Sequence, residues 1–197
     1  MTMTPTEITY GIPKNQRVTV SKIFLNSFEG KFQKIFANKN KAVSFISTFL
    51  RDDRAFVALK DGVAVGFVGL EHDNKSFIDA NLRQTVGLLG LGVLRAALFG
   101  AVFMMNRTKP NEVYVESLAV SEKERAKGIG KKLLKAAIDY ARLEGFSSVR
   151  LDVIGTNRDA KRLYERFGFK ESRVQRVPFP FSKLVGFGKV SEMVYAL

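Results

Sequence analysis

The feature that most constrains this chain is a junction. Val113 to Val120 is an extended apolar run, Arg125-Ala126-Lys127-Gly128-Ile129-Gly130 follows, and an amphipathic helical pattern begins at about Ile129. Strand, glycine turn and helix start in that order form a phosphate site. The glycines let backbone approach an anion, and the first N–H groups of a helix have no intrahelical partner. The helix dipole adds partial positive charge at the same place. Downstream, Ile129, Leu133, Leu134, Ala137, Ile138 and Ala141 share one helical face, and Gly145 supplies a stop.

Two familiar phosphate loops fail here. A P-loop needs glycine at 125 and Ser or Thr at 132, where this chain has Arg and Lys. A G-x-G-x-x-G beginning at Gly128 would end at Leu133, without the acidic residue that should follow. What fits is R/Q-x-x-G-x-G/A, with Arg125, Gly128 and Gly130 in its fixed places. Further on, Asn157-Arg158-Asp159-Ala160-Lys161-Arg162-Leu163-Tyr164-Glu165-Arg166-Phe167-Gly168-Phe169 satisfies N-x-x-A-x-x-L-Y-E-x-x-G-F throughout. Together these motifs resemble the GNAT superfamily, the acyl-coenzyme A dependent N-acetyltransferases, most densely from Glu112 to Phe169.

The remaining pattern agrees with that resemblance in element order. Ile8–Ile12 reads as a strand, and Pro13 opens a helix running through Val18, Ile23, Phe24 and Phe28. The Asn38 to Asn40 cluster separates it from a second helix built on Val43, Phe45, Ile46, Phe49 and Leu50. Ala55–Leu59 and Val63–Leu70 flank Asp61-Gly62, a hairpin turn. Strands at Val113–Val120, Ser148–Val153, Phe169–Val177 and Val190–Ala196, with a helix over Asn157–Phe167, complete the set. The expected fold is α/β (α+β): a GNAT-type mixed, largely antiparallel seven-stranded sheet flanked by helices. One N-acetyltransferase domain over 1–197 is expected, with an apolar helical insertion at about 73–111 between strands 3 and 4.

That insertion contains Val86 to Met105, almost wholly apolar and interrupted by Arg95. Length alone suits a membrane span. Against it, Arg95 would cost about 2.5 to 3.5 kcal/mol at the centre of a bilayer. One crossing would also put strands 3 and 4 on opposite sides of the membrane although the fold pairs them. Gly92, Ala96 and Gly100 give a small-residue helix face, read as packing over the substrate side or as a homodimer interface through 86–105, with membrane-surface contact as the weaker alternative. The loop from Pro178 to Gly188 is expected to wall the acceptor pocket.

Composition narrows the chemistry. The absence of cysteine excludes disulfides, thiolate metal sites and a cysteine-borne acetyl-enzyme, and the single histidine, His72, is read as structural, so no metal is expected. Met1 to Tyr10 shows no secretory pattern, which points to the cytoplasm. The formal charge of +13 suits a phosphate-bearing co-substrate in part; without an aromatic RNA-binding signature, nucleic acid is not an expected partner, and the basic surface argues against polycationic acceptors.

The resemblance assigns roles. Backbone groups of Leu118, Ala119 and Val120 would bind the pantetheine arm and thioester carbonyl of acetyl-coenzyme A. Arg125, Ala126, Lys127, Gly128, Ile129, Gly130 and Lys131 would cradle its pyrophosphate, and Asn157 and Ala160 would contact it from the next helix. Asn157 is equally a good N-cap. Tyr164 would contact the thiol and donate a proton to the departing thiolate. Glu116, or ordered water, would be the base that deprotonates an amine acceptor. A non-catalytic acyl-coenzyme A sensor or a membrane-surface interaction protein is the alternative function.

Overall fold

The computed structural model describes residues 5–27, 39–79, 109–179, 182–183 and 186–197. Within them, β1 (Glu7–Tyr10) leads through a 3-10 turn to α1 (Arg17–Ser27), followed by α2 (Lys39–Phe49), β2 (Ala55–Lys60) and β3 (Val63–Glu71). Then come β4 (Glu112–Val120), α3 (Ile129–Leu143), β5 (Ser148–Ile154), α4 (Arg158–Phe167), β6 (Lys170–Arg176) and β7 (Lys189–Ala196). The strands form one seven-stranded sheet in the order β1-β2-β3-β4-β5-β7-β6. Every neighbouring pair is antiparallel except β4 with β5.

The two faces have separate cores. On one, the predicted stripe of α3, Ile129, Leu133, Leu134, Ala137, Ile138 and Ala141, packs on Val68, Leu70, Val113, Val115, Val149, Leu151 and Val153. On the other, α1 and α2 contribute Val20, Ile23, Phe24, Phe45 and Ile46 over Val57, Phe67, Phe77 and Ala119. Gly66 lets α3 come close: a Cβ there would lie 3.2 Å from Leu133 and 3.0 Å from the Ala119 carbonyl.

Small departures from the expected boundaries have local causes. β1 stops at Tyr10 because Gly11 takes a φ of +85° and its N–H turns to the Ala55 carbonyl at 2.8 Å. Pro13 caps a 3-10 turn instead of opening the α-helix, which begins at Arg17. Phe169 does not start β6; its N–H closes on the Tyr164 carbonyl at 3.1 Å beyond the left-handed Gly168, a Schellman-type helix end. The hairpin is as expected, with Asp61 and Gly62 both at positive φ.

Candidate functional site

The site begins where the parallel pair comes apart. β4 and β5 are in register from Glu112 with Ser148 to Val115 with Leu151. Beyond that, both strands continue, β4 to Val120 and β5 to Ile154, with no pairing between them. A wedge therefore opens between two strand edges, and its main-chain groups need partners from elsewhere. On β4 the edge can be traced. Ser121 N–H bonds the Val65 carbonyl at 2.8 Å on the β3 side, while the Val120 carbonyl turns away and receives Arg125 Nε at 3.4 Å. Antiparallel alternation then commits Ala119 to β3 and turns the polar groups of Leu118 and Val120 into the wedge.

At the end of the wedge lies the glycine turn. Gly128 is the N-cap of α3 at φ +78°, and a Cβ there would meet nothing within 4 Å. A Cβ on Gly130 would touch only Val120, at 3.8 Å. The turn is thus open on its outer side, and the first N–H groups of α3 face that opening. Ala126, at φ +60°, bends the chain into it. An anionic group suits such a helix start in charge. Nearby cations are partly spoken for: Lys127 pairs with Glu124 at 3.1 Å, and Glu124 with Lys60 at 3.2 Å. Lys131 is exposed.

α4 flanks the wedge on the α3 side. Asn157 caps it, its Oδ1 accepting from the Ala160 N–H at 3.2 Å. Both expectations for Asn157 concern a place where it is exposed, so the cap leaves its remaining polar groups accessible. Tyr164 is buried in the cluster that includes Leu118 and Val120 of β4 and Val153 of β5, with its ring 6.0 Å from Phe169. Burial pushes its phenol up to about 12.

Glu116 stands on the opposite face. Val115 pairs with Leu70 and Ser117 with Gly69, so Glu116 is the extra residue of a β-bulge, one position past the last β4–β5 pair. It is part-buried, and its carboxylate accepts the Phe77 N–H. Burial raises the carboxyl to about 8, the Phe77 N–H opposes the rise and the charge of Glu71 adds to it.

Around Glu116 lies a polar floor that the sequence did not single out. Tyr114 donates to Asp152 Oδ2 at 3.1 Å across the strands where they begin to part, and Arg150 sits 4.3 Å above the Tyr114 ring. Arg150, fully buried, donates to Glu112 at 2.8 Å and lies 3.9 Å from Glu192. Glu71, Glu112, Glu116, Asp152 and Glu192 thus share one face with Arg150, the reverse of the overall charge. The signal was the strand alternation, which puts Tyr114 and Glu116 of β4 on the side away from Val113 and Val115.

His72 is buried against Arg54, with Asp73 at 2.8 Å on Nδ1 and the Tyr140 hydroxyl 3.1 Å from Nε2, just past the end of β3 on the side where β4 and β5 are paired. Val86–Met105, with Arg95 and the Gly92, Ala96, Gly100 face, lies outside the described residues, as do Pro180, Phe181, Leu184 and Val185 of the late loop. No helix among the described residues is long and apolar enough to cross a membrane.

Comparison with known proteins agrees with this geometry. "Probable N-acetyltransferase camello" of Xenopus laevis is 33% identical over 116 residues, 58% of this chain and 48% of the relative. Its Xenopus tropicalis counterpart is 41% identical over 68 residues, 34% of this chain and 31% of the relative. The chain therefore spans less than half the length of these curated relatives. Among solved structures, Ard1 from Thermoplasma volcanium superposes with a TM-score of 0.61 at 18% identity, covering 98% of this chain and 97% of that one, a likeness of fold. The model of the Acetyltransferase (GNAT) family matches residues 20–169, three quarters of the sequence, with the wedge, the glycine turn and α4 inside the match. On that match, and with those parts in place, the chain belongs to the Acetyltransferase (GNAT) family.

Proposed function

We propose that this chain is one N-acetyltransferase domain, with an insertion at about 73–111, that transfers acetyl from acetyl-coenzyme A to a primary amine by direct attack in a ternary complex. The acceptor class is a small-molecule amine or a protein N-terminus or lysine. The observation that carries the reading is the unpaired wedge between β4 and β5 ending on an outwardly open glycine turn. Such an arrangement suits an extended ligand with a phosphate at one end.

Acetyl-coenzyme A supplies an acetyl thioester. The main chain of Leu118 and Val120 would orient it, while the N–H groups from Ile129 to Lys131 hold the pyrophosphate, with Arg125, Lys127 and Asn157 at the rim. The two faces of the wedge then have different duties. On the floor, Glu116 takes a proton from the attacking nitrogen, a group whose ordinary pKa is about 10.4. A carboxyl held at about 8 is a far stronger base than a free one and narrows that gap. On the other face Tyr164 meets the departing sulfur. The burial that pushes this phenol up to about 12 would raise a thiolate leaving in the same site as well, so the phenol can give its proton to the sulfur as the thiolate forms. Tyr164 would therefore hydrogen-bond the developing thiolate and donate a proton to it.

The test uses the full chain. Acetyl-coenzyme A should raise the melting temperature, and free thiol should appear with at least one member of a broad amine panel. No stabilisation by acetyl-coenzyme A refutes the reading; stabilisation without thiol release from any amine favours the non-catalytic sensor.

A further inference from the structure

Two carboxylates share one face of the β3–β4 pair beside the wedge, and one short segment holds both. In the β3–β4 register Glu71 is opposite Tyr114 and Leu70 opposite Val115, with Glu116 bulged next to Val115. Leu70 and Val115 point into the core beneath α3. Alternation turns Glu71, Tyr114 and Glu116 to the other face. There, consecutive residues serve consecutive acids: the Ser76 hydroxyl donates to Glu71 Oε2 at 3.3 Å, and the Phe77 N–H donates to Glu116 Oε2.

This clamp is fixed. The Phe77 ring is fully buried, stacks on Phe67 at 5.3 Å and fills the space over Gly69, where a Cβ would lie 2.5 Å from it. The Phe77 carbonyl accepts the Arg51 N–H at 2.9 Å, and the Asp79 N–H reaches the Phe49 carbonyl at 2.9 Å. Among the described residues, the groups facing Glu116 are Glu71 from β3, Tyr114 on its own strand with its hydroxyl on Asp152, and Asp152 and Arg150 from β5. Arg150 is itself paired with Glu112 at 2.8 Å. α1 buries Val20, Ser21, Ile23, Phe24 and Leu25, while its charged residues are Arg17, which pairs with Asp52, and the exposed Lys22. Glu71 is thus the charge whose repulsion Glu116 feels.

We propose that Glu71 is a positioning residue: standing beside Glu116 on the shared Ser76–Phe77 clamp, its negative charge strengthens Glu116 as a proton acceptor. It acts through Glu116 and touches no reacting atom, and its place in catalysis rests on Glu116 being the base. Like charge held close in a part-buried site favours the protonated partner, and a neutral amide of the same shape removes that effect.

The deciding experiment titrates the Glu116 carboxyl by carbon-13 NMR in the full chain, its signal assigned by its loss in Glu116→Gln. Wild type, Glu71→Gln and Glu71→Asp are compared, with the pH profile of kcat/KM measured beside them. The titration midpoint should fall by about one pH unit in Glu71→Gln and stay near wild type in Glu71→Asp, the rate profile moving with it. An unchanged midpoint in Glu71→Gln overturns the proposal whatever the chemistry. A midpoint that moves while the rate profile does not overturns the catalytic role, and with it the base assignment, although the two carboxylates interact. Should Glu71→Gln fail to fold, Glu71→Thr, which removes the same charge with a side chain suited to a strand, must lower the midpoint in the same direction; a wild-type midpoint there overturns the proposal equally.

Discussion

Replacing Glu116 with glutamine tests both its burial and its chemistry. The amide keeps an oxygen to accept the Phe77 N–H and keeps the volume, so the variant removes only the charge. The folded carboxyl titrates near 8 against an ordinary 4.5. Because the folded state holds the proton more tightly, wild-type stability is fully present below about pH 4.5. It falls as pH rises and reaches its low plateau above about pH 8. A span of 3.5 units corresponds to about 5 kcal/mol if the site were closed to water; its partial accessibility brings the expected loss to about 2 to 3 kcal/mol. Glutamine does not titrate, so relative to wild type the variant should gain that amount between pH 5 and 9. Urea unfolding midpoints at intervals across that range give the difference directly. In activity, wild-type kcat/KM should rise to a plateau above about pH 8. The acceptor amine also ionises in this range, so the informative quantity is the ratio of wild type to variant, which should grow toward high pH and reach about 10² to 10⁴. Parallel stability curves would refute the burial argument; parallel rate profiles would refute the base.

Tyr164→Phe should lower kcat by about tenfold to a hundredfold while the affinity for acetyl-coenzyme A, measured by calorimetry, changes little, because the lost group is a single hydroxyl directed at a developing charge. Gly69→Ala should destabilise by at least 1 to 3 kcal/mol in denaturant unfolding, since its Cβ would lie 2.5 Å from a Phe77 ring fixed on both sides. Gly128→Ala meets no atom but forces a side chain into the left-handed region, at a cost of about 1 to 2 kcal/mol. Its greater effect should be on the Kd for coenzyme A, because the methyl would enter the phosphate cradle. Asn157→Ala should cost about 1 kcal/mol of stability through loss of the cap, with weaker coenzyme A binding as the mark of a second role.

The glycine turn and α4 were legible in the sequence because their information is local. Gly128 and Gly130 lie on one turn, Asn157, Ala160 and Tyr164 on one helix, and each position is set by spacing that a periodic backbone fixes. The face of α3 could be listed residue by residue for the same reason. The acidic face of β3, β4 and β5 is built differently. Tyr114 and Asp152 are 38 residues apart and meet because two parallel strands begin to part between Val115 and Glu116 on one strand and between Leu151 and Asp152 on the other. No period encodes that point. Glu116 was recognisable as a candidate from its place two residues before Leu118, but its bulge, its Phe77 partner and its neighbour Glu71 depend on the register of β3 against β4. Overall charge misdescribes this face for the same reason. The +13 is a sum over the whole chain, whereas Glu71, Glu112, Glu116, Asp152 and Glu192 are gathered by the pairing of β3, β4, β5 and β7. Single charge changes on this face should therefore alter the potential around Glu116 more than changes of net charge elsewhere on the chain.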